Sequence, residues 1–547
     1  MKLENASPSG FLYFKFPIIQ QEPKYMRKII ISIYFILNSM PLFSQTSETP
    51  PVPVVIYGEI HSPFEYKELE AQLFENFLWY NPTKLEHIST TIPLRNPTMV
   101  QRNPKSTYFR WVSPPIHSPG YLTLKSDSHY LMQDFLVSPG DSVMIFFDDF
   151  TKNIFFSGKS AGAYEFQAKQ TRKSKLEQFE SGLIINNPNP EEFIKKGRFS
   201  ALLEEFGSQY GRSFEVIPYD PFLQIKKLRQ RIRELENHLI QDFDTSELNI
   251  DKYILDIIKG NYLGLDLYKI YNQFRFAYNS AASSNNSIVL DSLSQFYKKE
   301  LPHPKSFDFP ENSLYHGSQL HIAVIEFGLI TARIENIPIR KWIKQNFTGP
   351  EKDKLLGYYL VRYSSEIQNP EKEFTAELPF IETPWISSLL EDYVNKTQHS
   401  ASLAPLEFST PENKKSNLSS VSWDGKLLFL DFWFTGCGAC VIFYRDILSQ
   451  LEEEFGHQVS FVSISTDKDS ELWTNSLKSG KYTSDKAINF YAGPDHEILR
   501  IFQVSTFPRQ ILLGPDLKLI QSGGFPSTLE EWRTLLKMNL DSLDKTE

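Results

Sequence analysis

The chain has 547 residues, 41% hydrophobic and 14% aromatic, with a formal net charge of −9. That length allows about three or four domains of roughly 150 residues, and the composition is ample for ordinary globular cores. The negative balance, with no basic cluster to reverse it, argues against a nucleic-acid partner.

Residues 1–45 read as an N-terminal extension followed by a secretory signal. Met26-Arg27-Lys28 is a short basic region, Ile29 to Leu37 is an apolar run, and Ser44 is a small residue near a cleavage point. The run is shorter than the ~20 residues that span a bilayer, so no stable transmembrane anchor is expected after cleavage. A signal begins at an initiator, which makes Met26 the expected true start. An uncleaved anchor or a buried strand is the other reading. No cysteine follows the signal, so no lipid anchor is expected. This places the protein in the periplasm or cell envelope. Residues 46–53 are polar and proline-bearing, a linker.

From 54 to 160 the pattern is short β-like runs. They include Val54–Gly58, Tyr121–Leu124, Phe135–Val137, Ser142–Phe147 and Asn153–Gly158, with a turn at Ser138-Pro139-Gly140-Asp141. Short strands between Pro/Gly/Asp turns predict an antiparallel β-sandwich-like domain. From 161 to 400 the period becomes helical and an all-α domain is expected. Ile225, Leu228, Ile232, Leu235 and Leu239 mark one face of an amphipathic helix. Tyr253–Phe274 and Leu320–Arg333 read as further helices, with breaks at Asn285-Asn286 and Leu301-Pro302-His303-Pro304. The stripe Tyr262, Tyr268, Tyr271, Phe274, Phe276 is read as helical core rather than a ligand site.

Ser402–Ser420 is again a linker. Beyond it strands and helices alternate: strand 427–433, helix 440–455 stopped at Gly456, strand 459–464, helix 470–478, strand 487–491, helix 495–502. A hairpin of 509–513 and 517–521 turning at Gly514-Pro515-Asp516 follows, then a helix 528–538. Such βαβ alternation is an α/β domain spanning 405–547.

The chain has two cysteines, and both lie here, as Cys437-Gly438-Ala439-Cys440 between an apolar strand and a helix. Strand, Cys-x-x-Cys, helix is the arrangement of a dithiol redox site. The helix N-terminus supplies free N–H donors and partial positive charge, which stabilise the thiolate that performs disulfide exchange. Rival readings fit less well. Zinc needs about four ligands and no second cysteine pair exists. Haem attachment needs His where Val441 stands, and so short a disulfide loop would stabilise little. A peroxiredoxin would carry Thr and Pro where Phe434 and Leu430 stand. His457 and His496 read as surface residues, and no metal or cofactor beyond the cysteine pair is expected.

Four features together resemble the TlpA/ResA-like thiol-disulfide oxidoreductases of thioredoxin-like fold: Asp431-Phe432-Trp433, the Cys437–Cys440 pair, Phe507-Pro508 before a strand, and the Gly514-Pro515-Asp516 turn. The whole layout resembles secreted multidomain proteins of that kind from Bacteroidetes-type bacteria. The resemblance covers about a quarter of the chain. It implies a nucleophile at Cys437, a resolving thiol at Cys440, and a buried acid at Asp431 that takes the Cys440 proton; a solvated carboxylate is the other reading of Asp431. It also implies a cis-proline loop at Pro508, where Phe507 offers backbone groups to an extended client. Trp433 is expected at the site, as a client contact or as packing beneath the pair. Gly436 and Ala439 stand where thioredoxins have Trp and Pro, and no lysine matches the usual partner of the buried acid. The implied activity is a protein-disulfide reductase with dithiol/disulfide clients and a membrane electron donor of the DsbD/CcdA kind. The alternative is an envelope binding or assembly protein with an accessory thioredoxin-like domain.

Overall fold

Hydrophobic alternation in the N-terminal region builds two four-stranded sheets. In the computed structural model, strands β1 (Val55–His61), β2 (Glu68–Phe74), β3 (Ile88–Pro93), β4 (Ser106–Val112), β5 (Gly120–Lys125), β6 (Tyr130–Val137), β7 (Ser142–Asp148) and β8 (Asn153–Ser157) order as β4-β1-β7-β8 and β3-β2-β5-β6. The structure describes residues 50–543 apart from 63–65, 79–86, 96–105, 127–128, 181–182, 188–189, 192–193, 195–213, 219, 242–248, 308–312, 365, 368–369, 399–402, 421–425 and 503. The expected signal at 26–44 lies outside the described residues.

The two sheets share one core, with Ile56, Ile60, Val143 and Ile145 facing Leu69, Leu73, Leu122 and Leu124. This is sandwich-like, but it is not wholly antiparallel. β1 and β7 run parallel, from Val55 opposite Ser142 to His61 opposite Asp148. The chain passes through the second sheet between them and returns to β1 in the same direction. Gly58 permits the approach: a Cβ there would lie 1.9 Å from the Ile145 carbonyl oxygen.

The central region carries the expected helices, including Ala161–Glu180, Pro221–Gln241, Lys252–Ser283, Ser287–Lys299, Leu320–Glu335, Gly349–Arg362 and Pro384–Gln398. The helix from Lys252 is longer than its sequence pattern suggests. Asp251 caps it by accepting from the Tyr253 and Ile254 N–H groups, and it runs on to Ser283, just before the expected Asn285-Asn286 break. Tyr271 and Phe274 are buried in its core face, while Phe276 is exposed. All-α is too strong a description. β9 (Leu183–Asn187) and β10 (Phe214–Pro218) pair in parallel, two short runs with β-branched residues that favour extended backbone. Among the described residues no helix is long and apolar enough to cross a membrane.

At the C-terminus β11 (Glu407–Ser409), β12 (Lys415–Asn417), β13 (Leu427–Trp433), β14 (Val459–Ser465), β15 (Ile488–Tyr491), β16 (Arg509–Leu513) and β17 (Leu519–Gln521) form one sheet, ordered β12-β11-β15-β14-β13-β16-β17. β13, β14 and β15 are parallel; β16 and β17 are antiparallel. Part of the expected linker is therefore structured, because β11 and β12 pair as a hairpin on the edge and Phe408 buries beside Phe490. β13 is central, and all seven of its residues are buried. Leu428, Leu430 and Phe432, with Ile511 of the paired strand, pack against Ile498 and Ile501. Leu427 and Phe429 face Leu448, Leu451, Phe455 and Trp532 on the other side.

Candidate functional site

Side chains alternate across a strand, so Asp431 and Trp433 share the face of Leu427 and Phe429. That face is covered by the helical stretch after the cysteines: Gly438–Phe443, a wide π-turn at Tyr444–Leu448, then Ser449–Phe455. The chain leaves β13 at Trp433 and turns through Phe434-Thr435-Gly436. Gly436 adopts φ +97°, a left-handed conformation that suits glycine. Two side chains hold this turn. The Thr435 N–H and hydroxyl donate to the two carboxylate oxygens of Asp467 at 2.7 and 2.9 Å, and the Gly436 N–H donates to Tyr482 Oη at 2.9 Å.

Cys437 then takes the N-cap position, and its Sγ accepts from the Cys440 N–H at 3.0 Å. The two cysteines are joined in a disulfide, their Cα atoms 5.3 Å apart. Cys437 is 6% exposed and Cys440 3%, so both cysteines are buried. Trp433, Trp473 and Tyr482 pack around them. Trp433 is fully buried, donates its indole N–H to Ser463 Oγ at 2.7 Å, and stacks on Tyr482 with centroids 4.7 Å apart. It supports the site from below and offers no surface to a client.

β16 begins opposite Phe432, which brings the preceding Phe507-Pro508 to the cysteine end of β13. The Phe507–Pro508 peptide is cis. The Phe507 ring meets Phe434 edge-on at 5.2 Å and packs against the cluster around the cysteines. Phe434 is exposed where it meets Phe507, and Ile442 is exposed on the helix that follows the cysteines.

Asp431 is buried as expected, 3% exposed, and its Oδ1 accepts from Gln510 Nε2 at 2.9 Å. Burial pushes its carboxyl up to about 8; the Gln510 hydrogen bond opposes this and the nearby Glu452 carboxyl adds to it. No lysine acts on it among the described residues; its charged neighbour is Glu452. Among the described residues no group of His, Cys, Asp and Glu is placed to hold a metal ion.

Residues 425–519 match the model of a family described as thioredoxin-like. The C-terminal domain is thioredoxin-like. Among solved structures, a candidate thiol-disulfide oxidoreductase from Bacteroides vulgatus is 27% identical, covering 24% of this chain and 84% of that one, with a TM-score of 0.21. The thioredoxin domain of a Bacteroides vulgatus thiol-disulfide oxidoreductase is 19% identical, covering 25% and 95%, with a TM-score of 0.22. A thiol:disulfide interchange protein from Bacteroides sp. is 20% identical, covering 25% and 86%, with a TM-score of 0.21. No curated protein matches the chain.

Sequence reasoning about the thioredoxin-like domain missed Thr435, Asp467, Tyr482, Gln510 and Glu452. Glu452 carries a usable signal. Leu448, Leu451, Glu452 and Phe455 follow i, i+3, i+4, i+7, so it sits on the buried helix face despite reading as part of the acidic run Glu452-Glu453-Glu454. Ser463 and Ser465 also stand in the mainly apolar strand β14, and both are buried as partners of Trp433 and Asp467. Tyr482 lies in a polar loop and gives no signal.

Proposed function

We propose that the protein is a secreted thiol-disulfide oxidoreductase of the TlpA/ResA-like kind, acting as a protein-disulfide reductase in the periplasm or cell envelope. The observation that supports it best is the Cys437–Cys440 disulfide at a helix N-cap, just beyond the strand that carries buried Asp431. In the reduced protein the Cys437 thiolate attacks one sulfur of a client disulfide, and the other client sulfur leaves as a thiolate. Cys440 then attacks Cys437, giving its proton to the Asp431 carboxylate and releasing the client as a dithiol. Two electrons have passed to the client, and the protein is left with its own disulfide. A membrane donor of the DsbD/CcdA kind returns the electrons, and no cofactor is needed beyond the cysteine pair. The Phe507 backbone and the Phe434 and Ile442 side chains receive an extended, apolar client segment. The regions 54–160, 161–400 and 405–547 are its domains, behind a signal at 26–44.

A second reading, an envelope binding protein with an accessory redox domain, has one observation in its favour. A cleft of about 960 Å3 lies between β6, β8 and the helix Ala161–Glu180, lined by Phe135, Phe155, Lys169 and Arg172 among others. A Cys440→Ser variant separates the two. The reductase reading expects it to accumulate clients in mixed disulfides at Cys437 that reducing agent releases. The binding reading expects unchanged cellular function in a variant lacking both cysteines.

A further inference from the structure

Strands β6 and β8 each end one of the two N-terminal sheets, so each has an edge with no strand beside it among the described residues. Both strands border the cleft beside the helix Ala161–Glu180. Asn153, Ile154, Phe155 and Phe156 line it in succession. Side chains alternate across a strand, so a cleft lying on one face would take every second residue. Four in a row put the free edge of β8 at the cleft wall. Edge strands are commonly guarded by a charge or a proline; β8 has neither, and Phe155 is 57% exposed. The edge of β6 is partly taken. Leu136 donates its N–H to Gln167 Oε1 at 2.8 Å and its carbonyl accepts from Gln167 Nε2 at 3.1 Å. This pins the helix beside the cleft and pairs an amide with a sheet edge.

The helix wall is cationic. Lys169, Arg172 and Lys175 follow i, i+3, i+6, are exposed and line the cleft, in a chain of net charge −9. Arg172 Nη1 donates to Asn153 Oδ1 at 3.1 Å, which ties this row to the start of β8. The other charged lining groups are Lys152, paired with Asp149, Asp134, which accepts from the Thr123 hydroxyl, and Glu165. Size separates the possible occupants. From Glu165 to Leu176 the helix wall runs about 16 Å. The five residues of β8 span about the same length. A volume of about 960 Å3 over that length gives a section of about 60 Å2. An extended peptide fills roughly 4.8 by 10 Å. A single acyl chain would leave most of the section empty.

We propose that this cleft binds an extended acidic peptide segment of about five residues, which adds as a strand to the free edge of β8, its carboxylates meeting Lys169, Arg172 and Lys175 and an apolar side chain meeting Phe155. The inference does not depend on the cysteine pair.

The test selects random peptides of about nine residues, displayed on phage, against the oxidised full-length protein, and measures synthetic copies by fluorescence anisotropy. The selected sequences are expected to alternate Asp or Glu with apolar residues. Phe155→Lys should weaken their binding roughly tenfold or more, as should Lys169→Glu combined with Lys175→Glu. Methylating the backbone nitrogens of the peptide should do the same, and added salt should weaken binding further. These side chains are exposed, so both variants should keep the wild-type circular dichroism and rate of reduction by dithiothreitol. A selection that yields no binder, or binders without acidic residues, overturns the proposal. So do acidic binders that ignore both variants or tolerate backbone methylation. A cleft that takes a fluorescent fatty acid and no acidic peptide overturns it in favour of an amphiphile.

Discussion

Asp431→Asn should make the oxidised protein more stable at neutral pH. At pH 7 Asp431 in the unfolded chain, with its ordinary value of 3.8, is ionised; in the fold it is pushed up to about 8 and keeps its proton. Holding that proton against an unfolded state that has released it costs about 4 kcal/mol at pH 7. The sign follows from a raised folded value. The carboxyl's contribution is fully present below 3.8 and is lost progressively as pH rises toward 8, because the unfolded state binds fewer protons over that window. Asparagine has no charge to bury, and its amide can still meet Gln510. Imperfect replacement of the hydrogen bond takes back about 1 kcal/mol, leaving an expected gain of about 2–4 kcal/mol at pH 7. Denaturant unfolding of the oxidised protein, read by tryptophan fluorescence, measures it, since Trp433, Trp473 and Trp532 are all buried in this domain. The gain should disappear when the same unfolding is repeated near pH 4. A variant no more stable than wild type at pH 7, or equally stabilised at both pH values, would refute a buried, proton-holding Asp431.

Three further outcomes are expected. Tyr482→Phe leaves the Gly436 N–H without its acceptor and should cost about 1–2 kcal/mol in the same unfolding assay, while Trp433 keeps its stacking partner. Gly58→Ala should destabilise the N-terminal sandwich by about 3 kcal/mol or more, seen as an earlier thermal transition, because the new methyl meets the Ile145 carbonyl of the paired strand. Replacing exposed Phe434 and Ile442 together with Ser should raise the KM for a protein disulfide severalfold and leave the rate with dithiothreitol unchanged, since the small reagent does not need the proposed apolar client contacts.

The thioredoxin-like region is the most legible part of the chain because its signals are specific to residue type. A Cys-x-x-Cys between a mostly apolar strand and a helix, an acid on that strand six residues before it, and a proline just before the later strand β16 together point to a dithiol redox site. Strand β13 is plain in the sequence because burial on both faces leaves no polar position except Asp431. Pairing is less legible. Periodicity shows which residues of β1 face inward but not that β7 lies beside it in parallel, and only Gly58 hints at so close a neighbour. β11 and β12 read as linker because three-residue edge strands with a single buried apolar residue, Phe408, look like polar loop. Glu452 is hidden by its acidic neighbours, although its helical phase with Leu448 and Phe455 marks it as buried.

The most direct measurement is the reduction potential of the Cys437–Cys440 pair in the full-length protein, by equilibration in dithiothreitol and glutathione buffers. The account predicts reversible two-electron cycling at a value near or below about −270 mV, suited to a reductase recharged by a membrane donor. A value toward roughly −120 mV would reverse the direction of electron flow, and a pair that does not cycle would contradict the account outright.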